Sequence, residues 1–352
     1  MSISSNGSTP TQHDVANLAK VSQSAVSRVL SGGMASSGLR EKVERACREL
    51  GYVPDLGARA LVNGFTNMVA IIVANIQNPF YPYILDKLTL EIQGRGREVL
   101  LLNASGGRDI DELAPLVVQY KVRSAIIMTA SLSSKMAELF KDHRIPSVML
   151  NRYSTVGAAN SVACDNYEGA RLVAREFVKA GFETFAYVGG EPVSSTNLDR
   201  RNGFIDGLAE FGHRPHLALD GGFNHDWGYE AGGLLNRSRI PVQACFCADD
   251  VIAMGVMDSL KDAGRSVPRD MSVVGFDDIP SAGWAAYSLS TVAQPVDEMI
   301  KKALEILDGD PLGGPVEVRI PGRLILRSSF SAPAQQFEQG VSAPNPRSRR
   351  KF

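Results

Sequence analysis

The chain has 352 residues, a formal net charge of -1, and a composition that is 44% hydrophobic and 21% charged. This length exceeds one small domain and suits two or three. The charge excludes a polypeptide that is basic throughout, and no apolar run is long enough to span a membrane.

Residues 1–10 are polar and lack the apolar run of a signal peptide, so we expect a disordered N-terminus rather than an export signal. The cysteines and the five histidines form no cluster with metal-ligand spacing. The sequence therefore predicts reduced thiols in a cytoplasmic protein, with no metal and no cofactor. The four cysteines are Cys47, Cys164, Cys245 and Cys247.

Residues 11–30 predict two short helices around a tight turn. Thr11 followed by Asp14 fits a capping box for the first helix, and Ser22 stands where the second should be capped. An apolar inner face and a hydrogen-bonding outer face suit a helix-turn-helix in a DNA major groove. The predicted inner residues are Val15, Leu18 and Ala19, then Val26, Val29 and Leu30; the outer residues are Gln23, Ser24, Ser27 and Arg28.

The run Val-Ser-Gln-Ser-Ala-Val-Ser-Arg-Val-Leu at residues 21–30 resembles the signature of the lactose-repressor (LacI/GalR) family of bacterial transcription factors. The order and spacing match, except that Ala25 stands where the family usually has Thr. From this resemblance we expect Arg28 to read a base, a guanine, with Gln23 and Ser24 adjusting specificity. The DNA contacts it implies in this region are Thr11, Val21, Ser22, Gln23, Ser24, Ala25, Ser27 and Arg28.

A third helix is predicted over residues 39–50, with Val43, Ala46 and Leu50 on one face and Gly51 ending it. It would complete an all-α DNA-binding headpiece over residues 11–54. Residues 11–63 hold seven basic and five acidic side chains, so the local positive excess is small. Two copies binding together would double the phosphate contacts.

Residues 55–65 follow as a linker, and Asp-Leu-Gly-Ala-Arg-Ala-Leu at 55–61 resembles the hinge helix of the same family. The resemblance implies that Leu61 inserts into the minor groove and that Arg59 lies beside it. Gly57 would disfavour the helix in the absence of DNA. The alternative is a plain linker.

Residues 66–330 alternate apolar strands with amphipathic helices, which favours parallel sheets covered by helices. The resemblance implies an α/β effector domain of two Rossmann-like lobes, similar to periplasmic binding proteins. The lobe boundary would lie near residue 163, and the chain would cross back near 289–323. We expect a disordered tail over 331–352, whose terminal basic cluster could touch DNA weakly. The predicted strands are 68–74, 98–103, 124–129, 146–150, 160–164, 184–189, 243–248 and 271–276, followed by segments 289–296 and 315–328.

Polar residues recur where these strands end, which is where open α/β sheets bind ligands. The recurrence predicts a hydrogen-bonding cleft. Asn151 and Arg152 follow the same strand. If Arg152 points inward beside another cation, a sugar acid or sugar phosphate is favoured over a neutral sugar. The candidates are Asn75, Asn103, Thr129, Asn151, Arg152, Asp165, Asp249 and Asp277.

The family resemblance adds roles for particular residues. Arg200 matches an arginine that clamps a ligand oxygen or carboxylate, and Asp277 matches a carboxylate that accepts hydroxyls or base nitrogens. Asp249 takes a ligand-contacting position, with Asp250 as a helix cap; alternatively, the acids only neutralise Arg200. Phe223 would cover one face of the ligand, and Phe80 with Tyr81 would form the opposite wall.

These features predict a ligand-responsive transcriptional regulator, a repressor, that binds a near-palindromic operator as a homodimer. The expected effector is a sugar, sugar acid or sugar phosphate, and its identity and the direction of its effect stay open. Adjacent acids such as Asp277 and Asp278 point apart along a chain, so no catalytic pair is expected. The alternatives are a solute receptor without a DNA role and a sugar-processing enzyme.

Ile84, Leu88 and Ile92 fit either a lobe core or a dimer surface.

Overall fold

The computed structural model describes residues 10–30, 33–53, 64–106, 110–129, 133–153, 159–309 and 314–333. Arg59, Leu61 and most of the predicted tail lie outside the described residues. The chain divides into two compact units. Unit 1 comprises Met1–Ile72, Thr89–Ile127 and Ser133–Ser147, and unit 2 comprises Val73–Leu88, Met128–Leu132 and Val148–Phe352.

Unit 1 begins with three helices, α1 (Gln12–Ala19), α2 (Gln23–Leu30) and α3 (Ser37–Leu50). The capping box predicted for α1 is confirmed, because the backbone amide of Thr11 donates to Asp14 and the Asp14 amide donates to Thr11 Oγ1. The cap predicted for α2 is also confirmed, since the Ala25 amide donates to Ser22 Oγ at 3.2 Å. These bonds satisfy amides that the first helical turn leaves unpaired.

The three helices enclose a small apolar core of Val15, Ala16, Val26, Val29, Val43 and Ala46. Leu18, predicted to face inward, is instead 45% exposed. Ala16 takes the inner position because α1 turns its 15/16 edge toward α3. Leu50 and Tyr52 pack against the rim of this core.

The remainder of unit 1 includes most of β1 (Met68–Val73), of β2 (Glu98–Asn103) and of β3 (Ser124–Met128), with β1 between the other two. β1 and β3 are nearly continuous runs of buried apolar residues, as strands covered on both faces require. The associated helices are α4 (Phe80–Gly94), which begins in unit 2 and ends in unit 1, α5 (Ala114–Gln119) and α6 (Ser134–Asp142).

Unit 2 contains two groups of strands. In the first, β5 (Ser161–Cys164) pairs in parallel with both β4 (Ser147–Leu150) and the late strand β11 (Glu317–Ile320). The register places Cys164 opposite Ile320.

The second group is a six-stranded sheet. Its first three strands along the chain are β6 (Phe185–Val188), β7 (Leu217–Leu219) and β8 (Ala244–Cys247). The others are β9 (Ser272–Asp277), β10 (Ser290–Ala293) and β12 (Arg323–Ile325). The order is β12-β10-β9-β8-β6-β7, and β12 alone among these pairs runs antiparallel to its neighbour.

Five helices complete unit 2: α7 (Asn166–Lys179), α8 (Ser195–Ala209), α9 (His225–Asn236), α10 (Asp250–Asp262) and α11 (Val296–Asp308). They follow the strands in the alternation that the sequence predicts. Because each strand feeds a helix, the loops at the carboxyl ends of the parallel strands gather at one edge of the sheet.

The eight strands predicted between residues 68 and 276 are confirmed within one residue at each end. The strand β7 was not predicted. The segment 315–328, predicted as one element, forms two strands, because β11 joins β5 while β12 joins β10. Ser331, at the start of the predicted tail, exchanges hydrogen bonds with Ser272.

Close packing of α7 against α8 depends on Gly203. A Cβ at this position would lie 2.2 Å from the Tyr167 carbonyl oxygen, a backbone atom that cannot rotate away. We expect Gly203→Ala to lower the free energy of unfolding by about 1–3 kcal/mol, as overpacking does.

The matched control is Gly233→Ala, inside α9, where the nearest atom to the added methyl is the mobile end of Arg237 at 3.4 Å. This change should be neutral or stabilise by up to about 1 kcal/mol, because alanine favours a helix. Urea denaturation of both variants tests the difference, and equal midpoints would contradict it.

Candidate functional site

The outer face of α2 is the first candidate site. Gln23, Ser24, Ser27 and Arg28 are exposed, whereas Val26 and Val29 of the same helix are buried. The polar face predicted from the sequence is therefore present at the surface. Of the other predicted contacts, Thr11 and Ser22 are exposed, and Val21 and Ala25 are half-buried.

The second candidate site is a pocket within unit 2. It is built where β4, β8 and β9 end, together with the first residues of α4 and α8. Its cavity volume of about 20 Å³ is close to that of a single water molecule. The lining residues are Asn75, Asn78, Phe80, Tyr81, Asn151, Arg152, Thr196, Arg200, Phe223, Asp249 and Asp277.

Three predicted ligand residues are not among the lining residues. Asp165 caps α7 by accepting a hydrogen bond from the Glu168 amide at 3.1 Å, so its role is structural. Asn103 lies in unit 1, where its side chain accepts from the Ser105 amide. Thr129 is buried outside the pocket lining. A polar residue at a strand end serves a local turn or cap as readily as a ligand.

Arg200 is held by groups from α7, from the end of β8 and from β9. Its Nε donates to Asn166 Oδ1 at 2.8 Å, and its Nη1 donates to the Ala248 carbonyl at 2.5 Å. Its Nη2 lies 3.2 Å from Asp277 Oδ1, and the guanidinium stacks 3.7 Å from the centroid of Phe276. Because all three guanidinium nitrogens have partners within the protein, Arg200 stabilises the structure of the pocket that it lines.

The sequence assigned the helix-capping role to Asp250, and this assignment is wrong. Asp249 caps α10, since its Oδ1 accepts from the Ile252 amide at 2.7 Å. Asp250 is wholly buried, and its carboxylate accepts from Thr291 Oγ1 at 2.5 Å and from the Ile279 amide at 2.9 Å. The first acid of the pair adopts the extended backbone that a cap requires.

Asp249 also faces the pocket, where its Oδ2 accepts from Asn78 Nδ2 at 2.8 Å. Burial and the nearby Asp277 carboxylate raise the pKa of Asp249 to about 7. Burial likewise raises the pKa of Asp277, although Arg200 opposes this shift. The carboxyl groups of Asp249, Asp250 and Asp277 are thus buried close enough to interact, and ionisation of all three is unfavourable.

Two lining residues were not predicted, Asn78 and Thr196. Asn78 connects Asp249 with the carbonyl oxygen of Phe223, 3.3 Å from its Nδ2. Thr196 accepts from Arg152 Nη1 at 3.0 Å. Neither ends a strand, so the strand-end rule could not find them. The signal available was the polar run at 194–197 that opens a helix after a strand.

Phe223, expected from the resemblance to cover one face of a ligand, is among the lining residues and lies next to Gly190. A Cβ on Gly190 would meet this ring at 2.3 Å, so only glycine leaves room for it. Arg152 lies on the other side, 5.7 Å from the ring centroid. Phe80 and Tyr81 pack edge-to-face as a second aromatic pair in the lining.

A larger, open depression of about 520 Å³ lies beside Asp258 and Tyr287, also in unit 2. The Asp258 carboxylate is already engaged, since Tyr287 Oη donates to it at 3.1 Å and His225 Nε2 lies 3.0 Å from the same oxygen. Size alone therefore does not favour it as a binding site. Within the described ranges, no set of three metal-ligating side chains converges.

Comparison with known proteins decides the family. A model of the bacterial regulatory proteins of the lacI family matches residues 11–55, and a periplasmic binding protein-like domain matches residues 174–330. The HTH-type transcriptional regulator AscG of Escherichia coli is 30% identical over 336 residues, which cover 92% of this chain and 99% of AscG. The chain belongs to the lacI family of bacterial regulatory proteins.

Membership confirms the resemblance predicted from residues 21–30 and makes the protein a DNA-binding transcriptional regulator. A solved structure of the transcriptional regulator CelR in complex with cellobiose is 28% identical, with a TM-score of 0.68 over 91% of this chain and all of that one. The lac repressor dimer bound to operator, 23% identical, shares the fold with a TM-score of 0.79 over 92% of this chain and 100% of that one. In the described parts of the regulator, no helix is long and apolar enough to cross a bilayer.

The raised pKa of Asp249 predicts a pH-dependent stability. An unfolded Asp ionises near pH 4, whereas the folded carboxyl keeps its proton until about pH 7. The folded state thus binds more protons between these values, and the free energy of unfolding falls as pH rises through them, by up to about 4 kcal/mol.

Asp249→Asn keeps a capping side chain and removes the titration, so the variant should lose this pH slope and gain on the parent above about pH 7. Urea denaturation at about pH 5 and about pH 8 measures the slope. Asp226→Asn, at an exposed position in the first turn of α9, is the control and should keep the parental slope. A slope unchanged in Asp249→Asn would contradict the burial argument.

Proposed function

We propose that this regulator is a repressor that binds a near-palindromic operator as a homodimer and takes a sugar or sugar acid into the pocket of unit 2. The observation that carries the DNA-binding part is the exposed polar face of α2 on a helix whose other side is fully packed. The effector part rests on the pocket, whose carboxylates and amides suit hydroxyl groups and whose aromatic rings suit C–H surfaces.

The α2 face fits direct readout in a major groove. Arg28 has the donor geometry that binds guanine O6 and N7 together. Ser24 lies one turn earlier on the same side of the helix, and Gln23 lies one turn before Ser27 on the adjacent exposed side. The helix is short and anchored only by its neighbours, so its orientation is fixed by the packing of α1 and α3. Two such helices in a symmetric dimer would lie about one DNA turn apart, which explains a near-palindromic site.

Arg59 and Leu61 complete the proposed DNA contacts. Both lie outside the described residues, and the proposal for them rests on the resemblance of residues 55–61 to a hinge helix. Leu61 would enter the minor groove as an apolar wedge, with Arg59 at the phosphates. The headpiece has only a small positive excess, so this additional contact and the second subunit would supply much of the affinity.

CelR binds cellobiose in a chain of the same family and fold, which supports a carbohydrate effector here. The cavity of about 20 Å³ is far smaller than a sugar, so a ligand must displace the side chains that now fill it. Any ligand that selects a different arrangement of the pocket also changes operator affinity, if DNA prefers one arrangement.

We also propose that the protein has no enzymatic activity and acts in the cytoplasm, where it meets DNA. Its relatives are regulators, and its buried acids are occupied in capping and pairing. The pocket residues need neither a metal nor a cofactor for the binding role proposed. Turnover of a bound sugar by the purified protein would contradict this part.

Arg28→Ala tests the readout. We expect a loss of about 1–3 kcal/mol in discrimination at one base pair of each half-site, because the bidentate contact is removed. Arg45→Ala, an exposed arginine of α3, is the matched control, and it should weaken binding equally for all sequences. Selection from a randomised operator library measures both, and an unchanged base preference in Arg28→Ala would exclude the role.

Phe223→Leu tests the pocket. Operator binding is followed by fluorescence anisotropy with a panel of sugars and sugar acids, and at least one compound should change the affinity. Phe223→Leu should weaken the response to that compound by about tenfold, since a ring in contact with the ligand is lost. Phe211→Leu, half-exposed in the same unit, should leave it unchanged. A panel without effect on operator affinity would contradict the proposed effector control.

A further inference from the structure

The two arginines of the pocket differ in their charge balance. Arg200 pairs with the Asp277 carboxylate, whereas Arg152 has no carboxylate in ion-pair contact among the described residues. Arg152 is nonetheless only 8% exposed. Of the acids nearby, Asp277 is engaged by Arg200 and by Gln294, and Glu191 is exposed to solvent.

All the hydrogen bonds that the structure describes for the Arg152 guanidinium go to hydroxyl groups, and its only other contact of note is the Phe223 ring. Its Nη1 donates to Thr196 Oγ1 at 3.0 Å and to Ser194 Oγ, and its Nη2 donates to Tyr81 Oη at 3.1 Å. Its Nε is buried and has no hydrogen-bond partner. Burying a cation without a counter-ion is costly, and a neutral hydroxyl offsets only part of that cost.

The same place contains the start of α8, a 15-residue helix. The Ser194 hydroxyl stands at the N-cap position but makes no capping hydrogen bond, because it is turned to Arg152. Ser195 Oγ is also buried without a partner. The first amides of a helix have no acceptor within the helix and favour a negative charge.

From these contacts we infer that the effector carries an oxyanion, a carboxylate or a phosphate, which binds between Arg152 and the N-terminus of α8. This inference rests on the proposed function, because it names the chemical class of the ligand for the same pocket. The hydroxyls of Thr196, Ser194 and Tyr81 each accept from Arg152. Ser194 and Thr196 also share one hydrogen bond of 2.9 Å, so Tyr81 and one member of that pair keep a hydrogen to donate to the anion. Arg200 stays with Asp277 and does not supply this charge.

The first experiment needs no knowledge of the effector. Inorganic phosphate, compared with chloride at equal ionic strength, should raise the melting temperature of the full-length protein. Arg152→Gln should raise the phosphate concentration needed for this effect by about 10- to 100-fold, the range for a charged hydrogen bond. Arg323→Gln, which removes the same charge from an exposed position, should behave as the parent.

Arg152→Lys keeps the charge and should retain part of the protection, and circular dichroism verifies that each variant is folded. Should Arg152→Gln not fold, the lysine variant and Thr196→Val, which removes one hydroxyl, carry the test. Both should then require several-fold more phosphate. Protection by phosphate that does not exceed that by chloride, or that is equal in all variants, would overturn the inference.

The second experiment separates the source of the anion and uses operator binding as readout. Operator affinity is compared in the presence of glucose, gluconate and a phosphate ester of glucose. A larger effect of the acid or of the ester than of the neutral sugar identifies a carboxylate or a phosphate ligand. A response to glucose alone would overturn the oxyanion inference but support the proposed function. Phosphate protection without any effect of sugars on operator affinity would contradict the proposed function and support the anion site.

Discussion

The buried ion pair between Arg200 and Asp277 is the interaction on which the pocket depends. One guanidinium joins α7 through Asn166, the end of β8 through Ala248, and the end of β9 through Asp277. Such a pair contributes little net stability, because removing both charges from water is costly. Removing one partner alone is severe, since the other charge is left buried. The pair therefore fixes the relative positions of the strand ends that line the pocket.

The acids beside this pair show how one location serves both folding and binding. Asp250 attaches the start of α10 to the loop after β9 and to β10, and both oxygens of its carboxylate are engaged in these hydrogen bonds. Asp249 caps the helix with one oxygen and presents the other to the pocket. Protonation of Asp249 reduces the repulsion among three carboxyl groups. A ligand that brings hydroxyl groups or an anion would change this balance, which links pocket occupancy to local structure.

Arg152 gives the pocket a positive charge that no ion pair among the described residues balances. Its partners are neutral, its Nε is unsatisfied, and a helix begins beside it. An effector bound there, as proposed above, would be selected by its charge, since a neutral analogue leaves the cation buried without a counter-ion. The exposed polar face of α2, proposed to read DNA, has a different physical basis. Its side chains are exposed on a helix held by a small apolar core, so its specificity depends on which residues point outward.

The sequence by itself determined the local features. Helix caps at Thr11 and Ser22, the polar face of α2, and the apolar strands from Met68 to Asp277 follow from residue type and spacing over a few positions. Tertiary structure alone decided which polar residues meet. Asp249 and Asp250 are neighbours with the same chemistry. Only the direction in which the chain enters α10 decides that Asp249 caps the helix and that Asp250 is buried in hydrogen bonds to other segments. Asn78 and Thr196 line the same pocket from segments far apart in the chain. Leu18 is exposed because the packing of three helices, rather than periodicity in one, selects the buried face.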